Sequence, residues 1–144
     1  MELTKEEILI SNQTAQYFIV DDNATFRHAI RDFIENELNQ KISGEASNGV
    51  EALANNKIYT ADIIIMDIMM REMDGINTAR RLLWEFPNLK ILAVTASEDS
   101  IFLTQLIHTG FYGCVFKSQL FTDLPEAISN LQEGKRFFPK SLKV

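Results

Sequence analysis

An unbroken apolar run at residues 63–66 (IIIM) limits what this chain can fold into more than any other feature. Three of its four side chains are isoleucines, which favour a β-strand, and no polar residue alternates with them. A strand without alternation has both faces covered, as in a parallel sheet that carries helices on each side. The run therefore predicts a central strand of a parallel sheet.

Further strands are predicted before and after this run. Short apolar runs lie at residues 17–20, 91–94 and 114–116, and the weakest candidate lies at 42–46. Apolar residues at helical spacing follow each of the five predicted strands. This alternation predicts an α/β domain with a doubly wound, five-stranded parallel sheet and helices on both faces.

Proline and glycine mark the ends of the predicted helices. Pro87 stops the third helix, and Gly110 is the expected C-terminal stop of the fourth, over residues 100–109. We expect Pro125 in the first turn of the last helix and Gly134 just past its end. Each helix follows its strand without a long linker, so we see no sign of a second domain.

The length and charge of the chain limit its class. Its 144 residues fit one domain, which we place at 17–138, between an N-terminal extension at 1–16 and a tail at 139–144. The net charge of -6 argues against direct contact of this chain with nucleic acid or with an anionic membrane surface. No apolar stretch is long enough to span a membrane, and the N-terminus is not a secretory signal. We therefore expect a cytoplasmic protein.

Some conspicuous side chains are expected to have only structural roles. Cys114 is the only cysteine, so no disulfide forms within the chain, and we expect a small buried hydrophobe. Trp84, beside Leu83, is expected to pack rather than to recognise a partner. His28 and His108 lack a second ligand at metal-binding spacing and are expected at or near the surface.

Polar side chains stand at the ends of the predicted strands. Asp21 and Asp22 follow the first strand, and Asp67 follows the third. Thr95 follows the fourth strand, and Lys117 follows the fifth. Because the binding crevice of a doubly wound sheet lies at the carboxyl ends of its strands, we expect these side chains to meet at one edge. Taken singly, each has an ordinary alternative, such as capping of the first helix by Asp21 or Asp22.

These side chains have the chemistry of phosphoryl transfer. Two carboxylates about 4 Å apart repel by about 4 kcal/mol at an effective dielectric of roughly 20, so the cluster must take up a proton, a lysine or a metal ion. Oxygen ligands suit Mg²⁺, which favours phosphate partners. Lys117 offers a compact positive charge, Thr95 offers a hydroxyl donor, and a carboxylate can itself become an aspartyl phosphate.

The motifs around these residues resemble the receiver domains of bacterial two-component response regulators. The matching segments are FIVDDN (18–23), IIIMDIMMREMDG (63–75), ILAVTAS (91–97) and VFKS (115–118). The resemblance extends over residues 18–138 and implies the flavodoxin-like receiver fold. The C-terminal part is most similar to receivers that precede a LuxR-type helix-turn-helix domain, although we expect no such domain within these 144 residues.

The receiver resemblance implies a role for each reacting group. Asp67 would be the phosphoacceptor, Thr95 the switch hydroxyl that turns toward the phosphoryl group, and Lys117 the partner of a phosphoryl oxygen. The donor would be a phosphohistidine on a sensor histidine kinase or a phosphotransfer protein. The output would pass to a downstream effector protein or domain, or to a homodimer.

The resemblance also implies a magnesium site. Asp22 would bind Mg²⁺ directly, and Asp21 would orient a metal-bound water. Asp67 and the backbone carbonyl of Met69 would be the further protein ligands.

Departures from the receiver pattern leave other functions open. Arg71 stands where many receivers have proline, and Cys114 stands where they usually have an aromatic residue that moves with the threonine. Both departures favour an atypical receiver that binds partners without phosphorylation. The presence of Asp22, Asp67, Thr95 and Lys117 argues against this alternative. Another alternative is the receiver part of a longer LuxR-type transcriptional regulator. Related phosphatases carry a second aspartate at the position of Met69, so we expect no turnover of an external substrate.

Overall fold

The computed structural model describes residues 15–71 and 73–139, and these form a parallel sheet of five strands. The strands are β1 (Gln16–Val20), β2 (Lys41–Ala46), β3 (Ile63–Asp67), β4 (Ile91–Thr95) and β5 (Gly113–Phe116). Their order is β2-β1-β3-β4-β5, and every neighbouring pair is parallel. All five predicted strands are confirmed, and the apolar run lies in the central strand, whose residues are all buried.

A helix follows every strand, as the apolar spacing predicts. The helices are α1 (Ala24–Asp32), α2 (Gly49–Ala54), α3 (Gly75–Glu85), α4 (Ser100–Thr109) and α5 (Leu120–Gln132). A π-helical turn, Phe33–Glu37, extends α1. Short 3₁₀ turns at Asn56–Thr60 and Lys117–Gln119 precede β3 and α5.

Short polar side chains begin four of these helices. Asn23, Asn48, Asp74 and Asp99 each accept a hydrogen bond from a backbone N–H in the first turn of α1 to α4. Such a cap pairs one of the N–H groups that the start of a helix leaves without a partner. The side-chain cap of α1 is Asn23, so the alternative that one of the two preceding aspartates caps this helix is wrong.

The helices cover both faces of the sheet. On β3, Ile64 and Met66 belong to the apolar core beneath α2, α3 and α4, whereas Ile63 and Ile65 belong to the core beneath α1 and α5. A strand between two such cores needs apolar residues at every position, which explains the missing alternation. The predicted doubly wound α/β architecture is therefore confirmed.

The chain that follows α5 covers the outer edge of β5. Gly134, with a φ of 77°, lies where this segment leaves the helix. The N–H of Cys114 donates to the carbonyl of Phe137 at 2.8 Å, and the N–H of Phe137 donates to the carbonyl of Tyr112 at 3.1 Å. A strand edge paired in this way has fewer free groups with which another chain could pair.

Element boundaries differ from the predicted ones by one residue in each strand and by more at the start of α5. Helix α5 starts at Leu120, so Pro125 is its sixth residue and does not lie in the first turn. The 3₁₀ turn after β5 leads directly into this helix, and the proline removes only one N–H from its hydrogen bonds. Asp67 and Thr95 are the last residues of β3 and β4, not the first residues after them, because the sheet pairing continues by one residue at each end.

Trp84 does not pack in the core, so that expectation is wrong. Its side chain is 88% exposed, although Leu82 on the same helix is fully buried. With about 3.6 residues per turn, two positions along a helix lie on nearly opposite sides, so position 84 faces outward. Cys114 is fully buried, and His28 and His108 are exposed, as predicted.

The predicted domain limits fall largely at the edge of the described residues. Residues 1–14 of the N-terminal extension and 140–144 of the tail lie outside the described part of the chain. Strand β1 begins at Gln16, one residue before the predicted domain start. Within the described residues, no helix combines the length and the apolar character needed to span a bilayer.

Candidate functional site

Three carboxylates and one ammonium group meet at the carboxyl edge of the sheet. One oxygen from each of Asp21, Asp22 and Asp67 lies within 4.8 Å of the others. The Nζ of Lys117 lies 3.6 Å from Oδ1 of Asp67. The structure thus brings together four of the five side chains that follow or end the predicted strands.

Backbone contacts hold the loop after β1 in place. The N–H of Asp21 donates to the carbonyl of Ala46 at 3.1 Å, which prolongs the pairing of β1 with β2. Oδ1 of Asp21 accepts a hydrogen bond from the N–H of Asn23 at 2.8 Å. Arg27 of α1 donates from Nη1 to the carbonyl of Asp21 at 2.7 Å. This hydrogen bond connects α1 to the loop that follows β1.

Asp67 is almost fully buried at the end of β3. The residue is 2% exposed, and its Oδ1 accepts a hydrogen bond from the N–H of Met69 at 3.2 Å. Within the described residues, Oδ2 of Asp67 and Oδ2 of Asp21 are buried without a hydrogen-bond partner. Because a buried acceptor without a partner costs about 1–3 kcal/mol, two such oxygens in one cluster indicate a site for a cation.

The pKa values of the carboxyl groups support this interpretation. Burial and, to a lesser degree, the charge of Asp21 raise the pKa of Asp67 to about 6, although Lys117 opposes the shift. Burial likewise raises the pKa of Asp21. Both directions are those of carboxylates that lack sufficient positive charge nearby. Ligands that are all oxygen suit Mg²⁺, which uses few protein carboxylates and keeps several waters, so the residues present fit this ion.

Lys117 lies between Asp67 and an aromatic ring. Its side chain is 19% exposed, and its Nζ lies 4.5 Å from the centroid of the Phe26 ring. Sequence reasoning did not single out Phe26, which it used only as an apolar position of the first helix. Its proximity to the site could have been predicted, because Phe26 lies in the first turn of α1, four residues after Asp22.

Thr95 and Met69 border the carboxylate cluster. Thr95 is fully buried, and its Oγ1 accepts a hydrogen bond from the N–H of Ser97 at 3.0 Å. Asp67 pairs in register with Val94, so Thr95 lies one position further along the neighbouring strand. The side chain of Met69 is 62% exposed, and its N–H contacts the site. The switch role of Thr95 and the metal contact of the Met69 carbonyl stay predictions.

The two departures from the receiver pattern lie in different places. Arg71 is exposed, and its Nε lies 4.0 Å from Oδ2 of Asp22, a geometry in which an ion pair contributes little. Cys114 pairs in register with Ala93 of β4 and belongs to the core beneath α4. A fully buried thiol therefore occupies the position where the receiver pattern usually has a ring.

The sequences of curated relatives align with most of this chain. Transcriptional regulatory protein DegU of Brevibacillus brevis is 26% identical over 125 residues, which cover 87% of this chain and 53% of DegU. Response regulator GacA of Pseudomonas viridiflava is 29% identical over 119 residues, which cover 83% of this chain and 56% of GacA. The chain thus spans about half the length of these curated relatives.

Solved structures of receiver domains have the same fold. The isolated REC domain of RcsB from Salmonella enterica serovar Typhimurium, solved with the phosphomimetic BeF3-, is similar with a TM-score of 0.81 and 28% identity, over 90% of this chain and 96% of that domain. A LuxR-family response regulator from Aurantimonas is similar with a TM-score of 0.83 and 28% identity, over 90% of this chain and 92% of that one. Residues 17–129 match the family described as the response regulator receiver domain. The resemblance seen in the motifs is thereby confirmed, and the chain belongs to the response regulator receiver domain family.

Proposed function

We propose that this receiver is a phosphorylation switch in which Asp67 accepts the phosphoryl group. The observation that carries the proposal is the surroundings of this buried carboxylate, with Lys117 Nζ at 3.6 Å and two further carboxylates within 4.8 Å. Phosphoryl transfer to a carboxylate needs positive charge around the transferring oxygens, and the cluster supplies it from Lys117 and a bound divalent cation.

In the proposed reaction, a carboxylate oxygen of Asp67 attacks the phosphorus of a phosphohistidine. The P–N bond of the donor breaks as the P–O bond to Asp67 forms, and the donor imidazole keeps the electron pair and takes up a proton. Lys117 pairs with one phosphoryl oxygen, and the hydroxyl of Thr95 donates a hydrogen bond to another. Groups held in advance near these oxygens stabilise the transferring group with little reorganisation.

We further propose that the carboxylate cluster holds Mg²⁺. Asp22 and Asp67 would hold the ion directly, Asp21 would orient a water beside it, and the carbonyl of Met69 would be a further ligand. The bound ion supplies positive charge to the phosphoryl oxygens. Support comes from the buried Oδ2 atoms of Asp21 and Asp67, which have no hydrogen-bond partner among the described residues.

The proposed donor is a sensor histidine kinase or a phosphotransfer protein in the cytoplasm, and the proposed output is an effector or a homodimer. A second candidate is the receiver part of a longer DNA-binding regulator. It is favoured because the chain spans only 53% of DegU and 56% of GacA, and because similar structures include RcsB dimers bound to DNA.

We also propose that the switch does not turn over an external substrate. Met69 stands where a related phosphatase would carry the aspartate that acts as its general acid.

Incubation with acetyl phosphate and Mg²⁺, followed by intact-mass measurement, tests the proposal. We expect a single phosphoryl adduct on the native chain, and none on Asp67→Ala or in the presence of a metal chelator. Asp32→Ala is the matched control, because Asp32 is an exposed aspartate of α1 whose carboxylate contacts Asn36, away from the site. Absence of an adduct, together with failure to bind beryllofluoride, would favour a binding role without phosphorylation.

A further inference from the structure

The ammonium group of Lys117 lies between two partners. Its Nζ is 3.6 Å from Oδ1 of Asp67 and 4.5 Å from the centroid of the Phe26 ring. The lysine side chain is 19% exposed, so most of it is withdrawn from water. A ring face attracts a cation within about 6 Å of its centroid, and the attraction grows as water is excluded.

The Phe26 ring is held by contacts that do not involve the lysine. The N–H of Phe26 donates to the cap oxygen of Asn23 at 3.1 Å. The next residue, Arg27, donates from Nη1 to the carbonyl of Asp21 at 2.7 Å and forms an ion pair with Glu45 at 3.1 Å. The ring itself packs against the core beneath α1 and α5. Its position is therefore set by the same turn that positions the carboxylate loop.

A lysine in such a site otherwise has little to hold it. Its four-carbon side chain has many rotamers, and its ammonium is a point charge without the fixed fork of arginine. Contact with Asp67 alone does not fix its position, because during transfer its anionic partner changes from the carboxylate oxygen to a phosphoryl oxygen. A second, neutral partner keeps the ammonium at the site throughout the reaction.

We propose that Phe26 is a positioning residue for phosphoryl transfer, whose ring face holds the Lys117 ammonium beside Asp67. Phe26 does not contact the reacting atoms and acts only through the lysine. The inference rests on the proposed function of Asp67 as phosphoacceptor. It assigns an electrostatic role to a residue that would otherwise be part of the apolar packing of α1.

Graded fluorination of one ring tests the electrostatic role. Fluorine withdraws density from the ring face with little change of shape, so we place 4-fluoro-, 3,5-difluoro- and 3,4,5-trifluorophenylalanine at position 26. The initial rate of adduct formation with acetyl phosphate at saturating Mg²⁺ is the readout. We expect a stepwise fall that reaches about 3- to 10-fold, a similar fall for Phe26→Leu, and retained activity for Phe26→Trp.

Phe33 provides the matched control for these variants. It lies in the π-helical turn that extends α1, packs against the same core, and pairs with Phe121 at a ring distance of 5.1 Å. The same fluorinated residues and Phe33→Leu are expected to leave the rate within about twofold, since surface and partly buried changes away from the site act mainly on stability. In a Lys117→Ala chain the series at position 26 should be flat. A flat series in the native background, or equal losses for Phe26→Leu and Phe33→Leu, would overturn the proposal.

A second readout does not depend on phosphorylation. Protons on the Cε of Lys117, observed in a chain with ¹³C-labelled lysine, should be shifted upfield by the ring current of Phe26. We expect this shift to disappear in Phe26→Leu and to persist in Phe33→Leu. Absence of the shift in the native chain overturns the positioning role even when the adduct forms. Failure of the adduct on the native chain instead overturns the proposed function, and the role of Phe26 with it, whatever the shift.

Discussion

At the scale of single residues, Asp67 carries an energetic cost. Burial and the nearby carboxylate of Asp21 raise the pKa of Asp67 from 3.8 to about 6. The folded chain therefore binds a proton at this site more tightly than the unfolded chain does. Stability is then highest below pH 3.8 as far as this group is concerned, and it falls as the pH rises from there through about 6. At neutral pH the ionised carboxylate opposes folding unless a cation neutralises it.

Removal of this charge should stabilise the metal-free chain. We predict that Asp67→Asn raises the free energy of unfolding at pH 7 by about 1–3 kcal/mol and changes it little at pH 4, because a shift of one pKa unit corresponds to about 1.4 kcal/mol. Urea unfolding in the presence of a chelator, followed by circular dichroism, measures the difference. The exposed Asp32→Asn serves as the control for removal of a surface carboxylate. A variant less stable than the native chain at pH 7 contradicts the prediction.

Cys114 should be chemically inert in the folded chain. Burial raises the pKa of its thiol to about 12, and the side chain is fully buried. Since the thiolate is the reactive form, iodoacetamide should modify the native chain very slowly and the urea-unfolded chain at the rate of a free cysteine. Because the chain has one cysteine, intact mass reports this residue alone. Rapid alkylation under native conditions would show that the core around β5 opens readily.

Sequence reasoning located the carboxylates and Lys117 but not the ring beside them. The carboxylates and the lysine follow from chain order alone, because the carboxyl ends of parallel strands share an edge. The contact of Phe26 with Lys117 depends on how α1 packs against the sheet, which spacing does not specify. Trp84 was placed wrongly for a related reason, since an aromatic residue close to a buried leucine, here Leu82, can still lie on the outer side of a helix.

At the scale of elements, the junction of β3 and α3 leaves no room for a side chain at Gly75. A Cβ there would lie 2.4 Å from the carbonyl oxygen of Asp67 and 2.8 Å from the Cα of Ile68. The N–H of Gly75 also donates to the carbonyl of Ile68 at 3.0 Å. Helix α3 therefore begins in direct backbone contact with the strand that carries Asp67.

Gly75→Ala should disturb both stability and phosphorylation. We predict a loss of about 2–3 kcal/mol in the free energy of unfolding, because backbone atoms must move to admit the methyl group. Gly134→Ala is the comparison, since no atom lies within 4 Å of its Cβ and only its φ of 77° is unfavourable, at a cost of about 1 kcal/mol. Urea unfolding of the two variants measures both losses in the free energy of unfolding. Equal losses for both would mean that the β3–α3 junction yields more easily than its close contacts indicate.

The elements were predicted well where apolar periodicity was strong, and less well at their ends. Even the weak strand predicted at residues 42–46 is confirmed, as β2 (Lys41–Ala46) at the edge of the sheet. The start of α5 was missed, because Pro125 is a favoured first-turn residue and the preceding 3₁₀ turn has no side-chain cap to mark it. Boundaries of this kind depend on tertiary contacts that local sequence does not contain.

At the scale of the whole molecule, a cation should act as a ligand of the folded state. The carboxylate oxygens lie within 4.8 Å of one another only in the fold, because they come from loops after β1 and from the end of β3. We predict that Mg²⁺ at ten times its dissociation constant stabilises the chain at pH 7 by about 1.4 kcal/mol. Thermal unfolding with increasing Mg²⁺ measures this shift, and Asp22→Asn should reduce it strongly. An unchanged unfolding temperature in the native chain contradicts the metal site.

The topology of the sheet also explains how residues as far apart in the chain as Asp21 and Lys117 form one site. Strand order β2-β1-β3-β4-β5 places β1 and β4 on either side of β3, so Asp67 lies at the centre of the edge. Lys117 follows β5, and its long side chain brings Nζ to 3.6 Å from Oδ1 of Asp67 and 4.5 Å from the centroid of the Phe26 ring. The proposed switch therefore depends on the chemistry of Asp67.

Reductive trapping of the phosphorylated residue tests this claim most directly. Borohydride reduces an aspartyl phosphate to homoserine, and peptide mass spectrometry then identifies the residue that carried the phosphoryl group. After incubation with acetyl phosphate and Mg²⁺, we predict homoserine at position 67 and at no other aspartate. Homoserine at another position, or none in a chain that gained the phosphoryl mass, would contradict the account.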